Sequence, residues 1–344
     1  MPEIPDLIKQ AKKANLRYVS DSIKGFKRFR VGKGFKYIDV HGSVIRNQDI
    51  LERIKSLNIP PAWKDVWISP SENTHLQTTG IDDRGRKQYI YHPQWIKICQ
   101  ENKFSKMVPF AQSLPKIRSK VRRDMEVSEL LRKKVLATII WLLEHTFIRV
   151  GNEEYAKDNN SFGLTTLRNR HVDVSGIKVR FEFKGKSGIE HLVEVSNPIV
   201  ARTLKKCIEL PGYQLFQCID EEGKRHVVDS EDVNEYLHEI TKEETTAKEF
   251  RTWGGTVLGA TTLHSLGSFE DEQGLKQNIA STVKTVASHL RNTPNVCRKY
   301  YIHPTVLSTY EKHILIPHFS KTSKKSNGLG LNEYRVLTLL EKYS

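Results

Sequence analysis

An α+β architecture is predicted: a mostly β N-terminal domain over residues 1–102 and a mainly α domain over 103–344, the second interrupted by a small β-hairpin or sheet. Three observations predict it. Short extended runs separated by turn residues crowd the first hundred positions. From about residue 102, apolar residues recur at helical spacing instead. Within that helical part, Ile177-Lys178-Val179-Arg180-Phe181-Glu182-Phe183-Lys184 alternates apolar and polar without a break, which marks a half-buried strand.

Taken in order, Phe26 to Val40 is rich in aromatic and basic residues and is broken by Gly32 and Gly34, which suits a twisted hairpin or bulged strands. Asn47 is placed to cap a short helix carrying Leu51, Ile54 and Leu57, stopped by Ile59-Pro60-Pro61-Ala62-Trp63. Val66–Ile68, His75–Thr79 and Lys87–Tyr91 read as short strands, with Asp82-Asp83-Arg84-Gly85 as a loop tip. The spacing of Leu131, Val135, Ile139, Leu142 and Leu143 predicts one long helix from Val127 to Val150. Gly185-Lys186-Ser187-Gly188 then turns the alternating strand back into Ile189–Val195. Ser230, ahead of Glu231 and Asp232, reads as an N-cap. Leu275, Ile279, Val283, Val286 and Leu290 share a helical face that breaks at Asn292-Thr293-Pro294. Residues 320–330 read as a flexible Ser/Lys/Gly-rich stretch, and 331–343 as a last amphipathic helix.

The composition narrows the function classes. With 55 Lys+Arg against 40 Asp+Glu the chain carries a net charge of +15, which points to a polyanionic partner. Residues 1–102 hold 18 basic and 11 acidic side chains, so +7 falls in under a third of the length. No segment approaches the roughly 20 apolar residues of a membrane helix. Neither a signal peptide nor a Cys-x-x-Cys spacing appears, so a cytoplasmic chain with four reduced thiols is expected. Walker A and metal-ligand patterns are likewise missing from the sequence.

Five residues form a chemical set: Arg149, Lys186, Arg251, Asn292 and Tyr301. A phenol can attack a phosphodiester. Arginine forks can hold the charge that builds on its non-bridging oxygens. A lysine can give a proton to the departing alkoxide. Each residue also has a plain structural reading. Arg149 suits a helix C-terminus, Lys186 a solvated turn, and Arg251 a cation–π contact with Phe250 or Trp253. Asn292 suits a helix cap before Pro294, and Tyr301 a core aromatic.

Phe-Ile-Arg-x-Gly at 147–151, Gly-Lys in a turn at 185–186, Lys-x-x-Arg-Thr-aromatic-Gly at 248–254 and Asn-Thr-Pro…Tyr at 292–301 occur in that order. Together they resemble the type IB DNA topoisomerases, in particular the small poxviral and bacterial branch. Asn159 to His171, Ile59–Trp63 and Gly85–Tyr91 resemble it as well. The resemblance implies a catalytic domain of the type IB topoisomerase/tyrosine recombinase kind. It implies that Tyr301 is the nucleophile of a 3′-phosphotyrosyl intermediate and that Arg149 and Arg251 bind the non-bridging oxygens. Lys186 is implied to be the general acid, and Asn292 stands where poxviral members carry histidine. The nine-residue interval from Asn292 selects Tyr301 over Tyr300. Gln88, Tyr89, Tyr91, Tyr155 and Lys248 are the implied DNA-binding positions.

The partner implied is double-stranded DNA, held by a monomer closing as a clamp, nucleoid-associated and off the membrane. No metal and no cofactor are required, and magnesium is given only a stimulating role in turnover. Lys27, Arg28, Arg30, Lys116, Arg118, Lys120, Arg122 and Arg123 are further phosphate-contact candidates. Two alternatives remain: a tyrosine recombinase, disfavoured by Lys248-Glu249-Phe250-Arg251 where His-x-x-Arg is usual, and a basic architectural DNA-binding protein.

Overall fold

A computed structural model describes residues 4–220, 222–322 and 328–344. Its contacts separate two compact units, Met1–Ser105 and Lys106–Ser344.

In the first unit the elements run α1 (Ile4–Lys13), β1 (Phe26–Val31), β2 (Gly34–Ile38), α2 (Gln48–Ser56), β3 (Lys64–Ile68), β4 (Leu76–Ile81), β5 (Lys87–Tyr91) and α3 (Pro93–Ser105). The strands form one antiparallel sheet ordered β2-β1-β3-β4-β5. Asn47 caps α2, its side-chain oxygen accepting from the Ile50 amide at 3.0 Å. That orientation drives Ile54 into a core with Phe26, Ile45, Val66 and Ile68. A second cluster joins Ala11, Ala14 and Leu16 to Trp95. Arg28 is not free for phosphate. Its guanidinium donates to the carbonyls of Ile59, Pro60 and Trp63 at 2.7–3.3 Å and lies 4.2 Å from the Phe35 ring centroid, pinning the proline-rich loop.

The second unit begins with α4 (Met107–Met125), α5 (Arg132–Thr146) and the short α6 (Glu153–Asn159). A three-stranded antiparallel sheet follows: β6 (Val172–Ser175), β7 (Lys178–Lys184) and β8 (Glu190–Ser196), ordered β6-β7-β8. Then come α7 (Pro198–Glu209), the small pair β9 (Gln217–Ile219) and β10 (Arg225–Val227), and α8 (Ser230–Thr241). The rest is helical: α9 (Ala247–Leu266), α10 (Glu272–Leu290), α11 (Pro294–Tyr300), α12 (Pro304–Glu311), α13 (Leu315–Lys321) and α14 (Leu331–Tyr343). α5 is buried nearly all round, from Lys134 to Ile140 and at Leu142 and Leu143, as its apolar sequence requires. α9 packs against α4, α5, α10, α12 and α14 and so forms the centre of the unit.

The predicted helix from Val127 to Val150 is too long at both ends. It starts at Arg132 and stops at Thr146, because Phe147 takes a left-handed conformation (φ 52°) and returns its amide to the Leu143 carbonyl. Missed upstream is the separate helix α4. Its Arg118 is a structural residue, forked between Glu144 and Glu333 at 2.6–2.7 Å, and Lys120 pairs with Asp124 at 2.7 Å. The cap of α8 is Asp229 rather than Ser230: its carboxylate accepts from the amides of Glu231 and Asp232, and its own amide donates to the Asp232 side chain. The expected flexible stretch 320–330 falls in part on 323–327, which lie outside the described residues; Ser320 and Lys321 belong to α13.

Candidate active site

Thr246 and Glu249 form a capping box that starts α9, the Thr246 amide donating to the Glu249 carboxylate at 2.7 Å. This start leaves Lys248 exposed in the first turn and puts Arg251 inside, at 4% exposure. A buried guanidinium needs partners. Arg251 donates through one terminal nitrogen to the Phe147 carbonyl at the end of α5, and through the other to the Leu290 carbonyl at the end of α10, at 2.8 Å. Its carbon centre lies 5.3 Å from the centroid of the Tyr301 ring. One arginine thereby ties together three chain segments distant in sequence. The ring beside the guanidinium is that of Tyr301, in place of the alternative contact with Phe250 or Trp253.

Arg149 lies beyond the end of α5, in an extended stretch, not on the helix. Its carbonyl accepts from the Leu164 amide at 2.8 Å, and the Val150 carbonyl accepts from Thr165 at 2.7 Å. The crossing is tight. Gly151 has φ +111°, and a Cβ on Gly163 would stand 2.6 Å from the Arg149 carbonyl oxygen. The same 160–165 segment reaches the Lys186 strand, because the Phe162 amide donates to the Lys184 carbonyl at 2.7 Å. The motif Asn159–His171 therefore splints the arginine segment to the hairpin.

Lys186 leads the turn between β7 and β8 and is exposed; Ser187 (φ 67°) and Gly188 (φ 76°) make the reversal. Below it β7 alternates buried Val179, Phe181 and Phe183 with exposed neighbours, so the sheet is anchored while its tip projects. His191 on β8 stacks on Phe183 at 4.7 Å. Burial and the nearby Arg291, Arg149 and Arg251 push its pKa down to about 4, so it stands neutral among cations.

α10 ends at Arg291 in the left-handed region (φ 50°). Thr293, not Asn292, caps α11, with Pro294 in the first turn. Asn292 is thereby released from capping. Its side-chain oxygen accepts from Arg149 at 2.7 Å, and its side-chain nitrogen is buried without a partner. Tyr301 is the residue that ends α11. Burial alone would raise its pKa. Arg251, Arg149 and Lys248 outweigh that and hold it below the ordinary phenol value. For Arg251, burial and then Arg149 depress the pKa.

Arg149, Lys186, Lys248, Arg251, Tyr155 and Tyr301 line a single cleft of about 510 Å³. Asn292 stands behind it on Arg149. Tyr155 reaches the cleft from its own helix α6, capped by Asn152, rather than from a continuation of α5. In the first unit, Tyr89 and Tyr91 share one face of the edge strand β5, 48% and 37% exposed, with rings 5.9 Å apart and nearly parallel. Gln88 projects to the other face, where its amide donates to Asp82 at 3.0 Å. Among the described residues, no three His, Cys, Asp or Glu side chains gather to hold a metal, and no helix is long and apolar enough to cross a membrane. The carbonyls of Phe147 and Leu290 and the close crossing at Gly163 escape a reading of the sequence; the Gly254-Gly255 pair one turn past Arg251 is the signal that could have pointed to a close approach there.

Residues 94–326 match the family described as eukaryotic DNA topoisomerase I, catalytic core, and residues 34–82 match the bacterial DNA topoisomerase IB N-terminal domain. The chain is similar to DNA topoisomerase 1B of Acanthamoeba polyphaga mimivirus, 32% identical over 85% of this chain and 89% of the viral one. It is also similar to DNA topoisomerase 1B of Vaccinia virus (strain Copenhagen), 24% identical over 86% and 93%. With the catalytic-core match spanning well over half its length, the chain belongs to the type IB DNA topoisomerases and is a type I DNA topoisomerase enzyme.

Proposed function

We propose that the protein relaxes supercoiled duplex DNA through a covalent Tyr301 intermediate. The Tyr301 phenol gives its proton to water, and its oxygen attacks the backbone phosphorus, forming a 3′-phosphotyrosyl bond as the bond to the 5′ oxygen breaks. Lys186 protonates that departing oxygen. Arg149, oriented by Asn292, and Arg251 stabilise the extra charge on the non-bridging oxygens. The free 5′ end rotates about the intact strand under torsional strain. Its hydroxyl then returns to the phosphorus, gives its proton back to Lys186, and expels Tyr301 as a phenolate, which regains its proton from water. The covalent bond conserves the phosphodiester, so neither ATP nor a catalytic metal enters, and magnesium acts only on turnover.

The observation that carries this reading is the Arg251 guanidinium over the Tyr301 ring, in a cleft shared with Arg149 and Lys186. A buried cation against a phenol lowers the cost of the attacking phenolate and waits where charge develops. Lys248 and Tyr155 at the cleft rim, and Tyr89 and Tyr91 on the N-terminal unit, are the proposed DNA contacts; that unit acts as a clamp on a monomeric enzyme. Gln88 joins them by exchanging its bond to Asp82 for one to DNA. The test is incubation with supercoiled plasmid in EDTA without ATP, read on a topoisomer gel. Relaxation in steps of one linking number supports the reading; no relaxation there, with activity appearing on adding ATP or metal, refutes it.

A further inference from the structure

We infer that Arg291 is a positioning residue that locks the Lys186 hairpin to the segment carrying Asn292 and Tyr301. The inference rests on the proton-donor role proposed for Lys186.

β8 is the edge strand of its sheet, so alternate carbonyls on its outer side have no ladder partner. Arg291 fills that place. One of its terminal nitrogens donates to the Glu190 carbonyl at 3.0 Å, and the other to the Leu192 carbonyl. Both carbonyls lie on the outer edge, flanking His191, which faces Phe183 across the ladder. The planar fork of arginine suits two acceptors spaced along a strand; a lysine offers one point donor. Arg291 directly precedes Asn292 and occupies a left-handed backbone position that side chains other than glycine seldom adopt. Its two bonds span the gap between the hairpin whose tip bears Lys186 and the corner from which Arg149 receives Asn292. Without them the projecting tip depends on its own ladder and on the 160–165 splint.

The test uses Arg291→Gly, which keeps the left-handed corner, in the full-length chain. Single-turnover formation of the covalent adduct is measured on a duplex carrying a cleavage site mapped with the unaltered protein. The same duplex is made with a 5′-bridging sulfur, which departs without a proton. Arg291→Gly should cleave the ordinary duplex about 10- to 100-fold more slowly, as a misplacement near 1 Å costs. On the sulfur duplex it should cleave within about threefold of the unaltered protein, as should Lys186→Ala; these margins follow from removal of the proton-transfer step alone. Arg291→Lys should fall between. Unchanged cleavage of the ordinary duplex overturns the inference. A defect that persists on sulfur in Arg291→Gly but vanishes in Lys186→Ala overturns it while leaving the Lys186 role intact. A defect persisting in Lys186→Ala removes the proton-donor role, and the inference with it.

Discussion

Replacing Gly255 by alanine tests how closely Tyr301, the proposed nucleophile, is held. Gly255 lies one turn beyond Arg251 on α9, beneath the backbone of Tyr301. A Cβ there would stand 2.6 Å from the Tyr301 carbonyl oxygen, 3.1 Å from a Leu290 methyl and 3.2 Å from the Tyr301 Cβ. Ordinary contact begins at 3.4 Å, so the Tyr301 backbone must retreat by about 0.8 Å. It cannot swing freely, because its carbonyl also accepts from Thr256 and its amide is bonded to Cys297. Two effects oppose each other in stability. Alanine favours the helix by about 1 kcal/mol, and overpacking costs about 1–3 kcal/mol. The thermal midpoint should therefore fall only slightly. Catalysis has no such compensation. A shift near 1 Å in a reacting group costs on the order of 10²-fold, about 2.7 kcal/mol in the barrier. Single-turnover adduct formation on saturating duplex should drop by that order while DNA affinity holds. Cleavage within twofold of the unaltered protein would show that the close approach at Gly255 does not place Tyr301, and the reasoning would fail.

The remaining predictions follow from the same geometry. The difference in absorbance titration between the unaltered protein and Tyr301→Phe isolates one phenol; it should titrate below the ordinary phenol value, and higher in Arg251→Ala than in the unaltered protein, because burial then acts without the largest opposing charge. Asn292→Ala removes the acceptor of a charged hydrogen bond worth about 1.5–3 kcal/mol and should slow cleavage about 10- to 100-fold with DNA binding little changed, as measured by filter binding. Arg149→Lys should also lose rate in the single-turnover assay, because a point charge cannot both hold Asn292 and fork onto phosphate. His191 has its folded pKa lowered from 6.5 to about 4, so the unfolded chain binds the extra proton. Its contribution is intact above about pH 6.5 and is lost as pH falls towards 4; urea titrations should show a shallower acid loss in His191→Phe than in the unaltered chain.

Much of this was legible in the sequence where local chemistry decides. Strict alternation over Ile177–Lys184 marked β7, and Asn47 marked the start of α2, because both signals are local. The ordered motifs also singled out the residues that line one cleft, although their separations say nothing by themselves about contact. Local signals failed at the ends of α5. Apolar spacing continues past Thr146, and nothing in Phe147 announces a left-handed turn; the Arg251 bond to its carbonyl is a tertiary contact over a hundred residues away. Asn292 looked like a cap because Pro294 follows it, but Thr293 caps α11 and leaves the asparagine for Arg149. The basic residues illustrate the same limit. Composition counts Arg28 and Arg118 with every other cation, whereas both are used internally, on carbonyls in one case and carboxylates in the other.

Identifying the side chain that becomes bonded to DNA tests the central claim most directly. The adduct trapped on a suicide duplex is digested with nuclease and trypsin, and the peptide from Tyr300 to Lys312 is sequenced by mass spectrometry. Nucleotide mass on Tyr301 is the predicted result. Mass on Tyr300 or Tyr310, or on a peptide from elsewhere in the chain, contradicts the account.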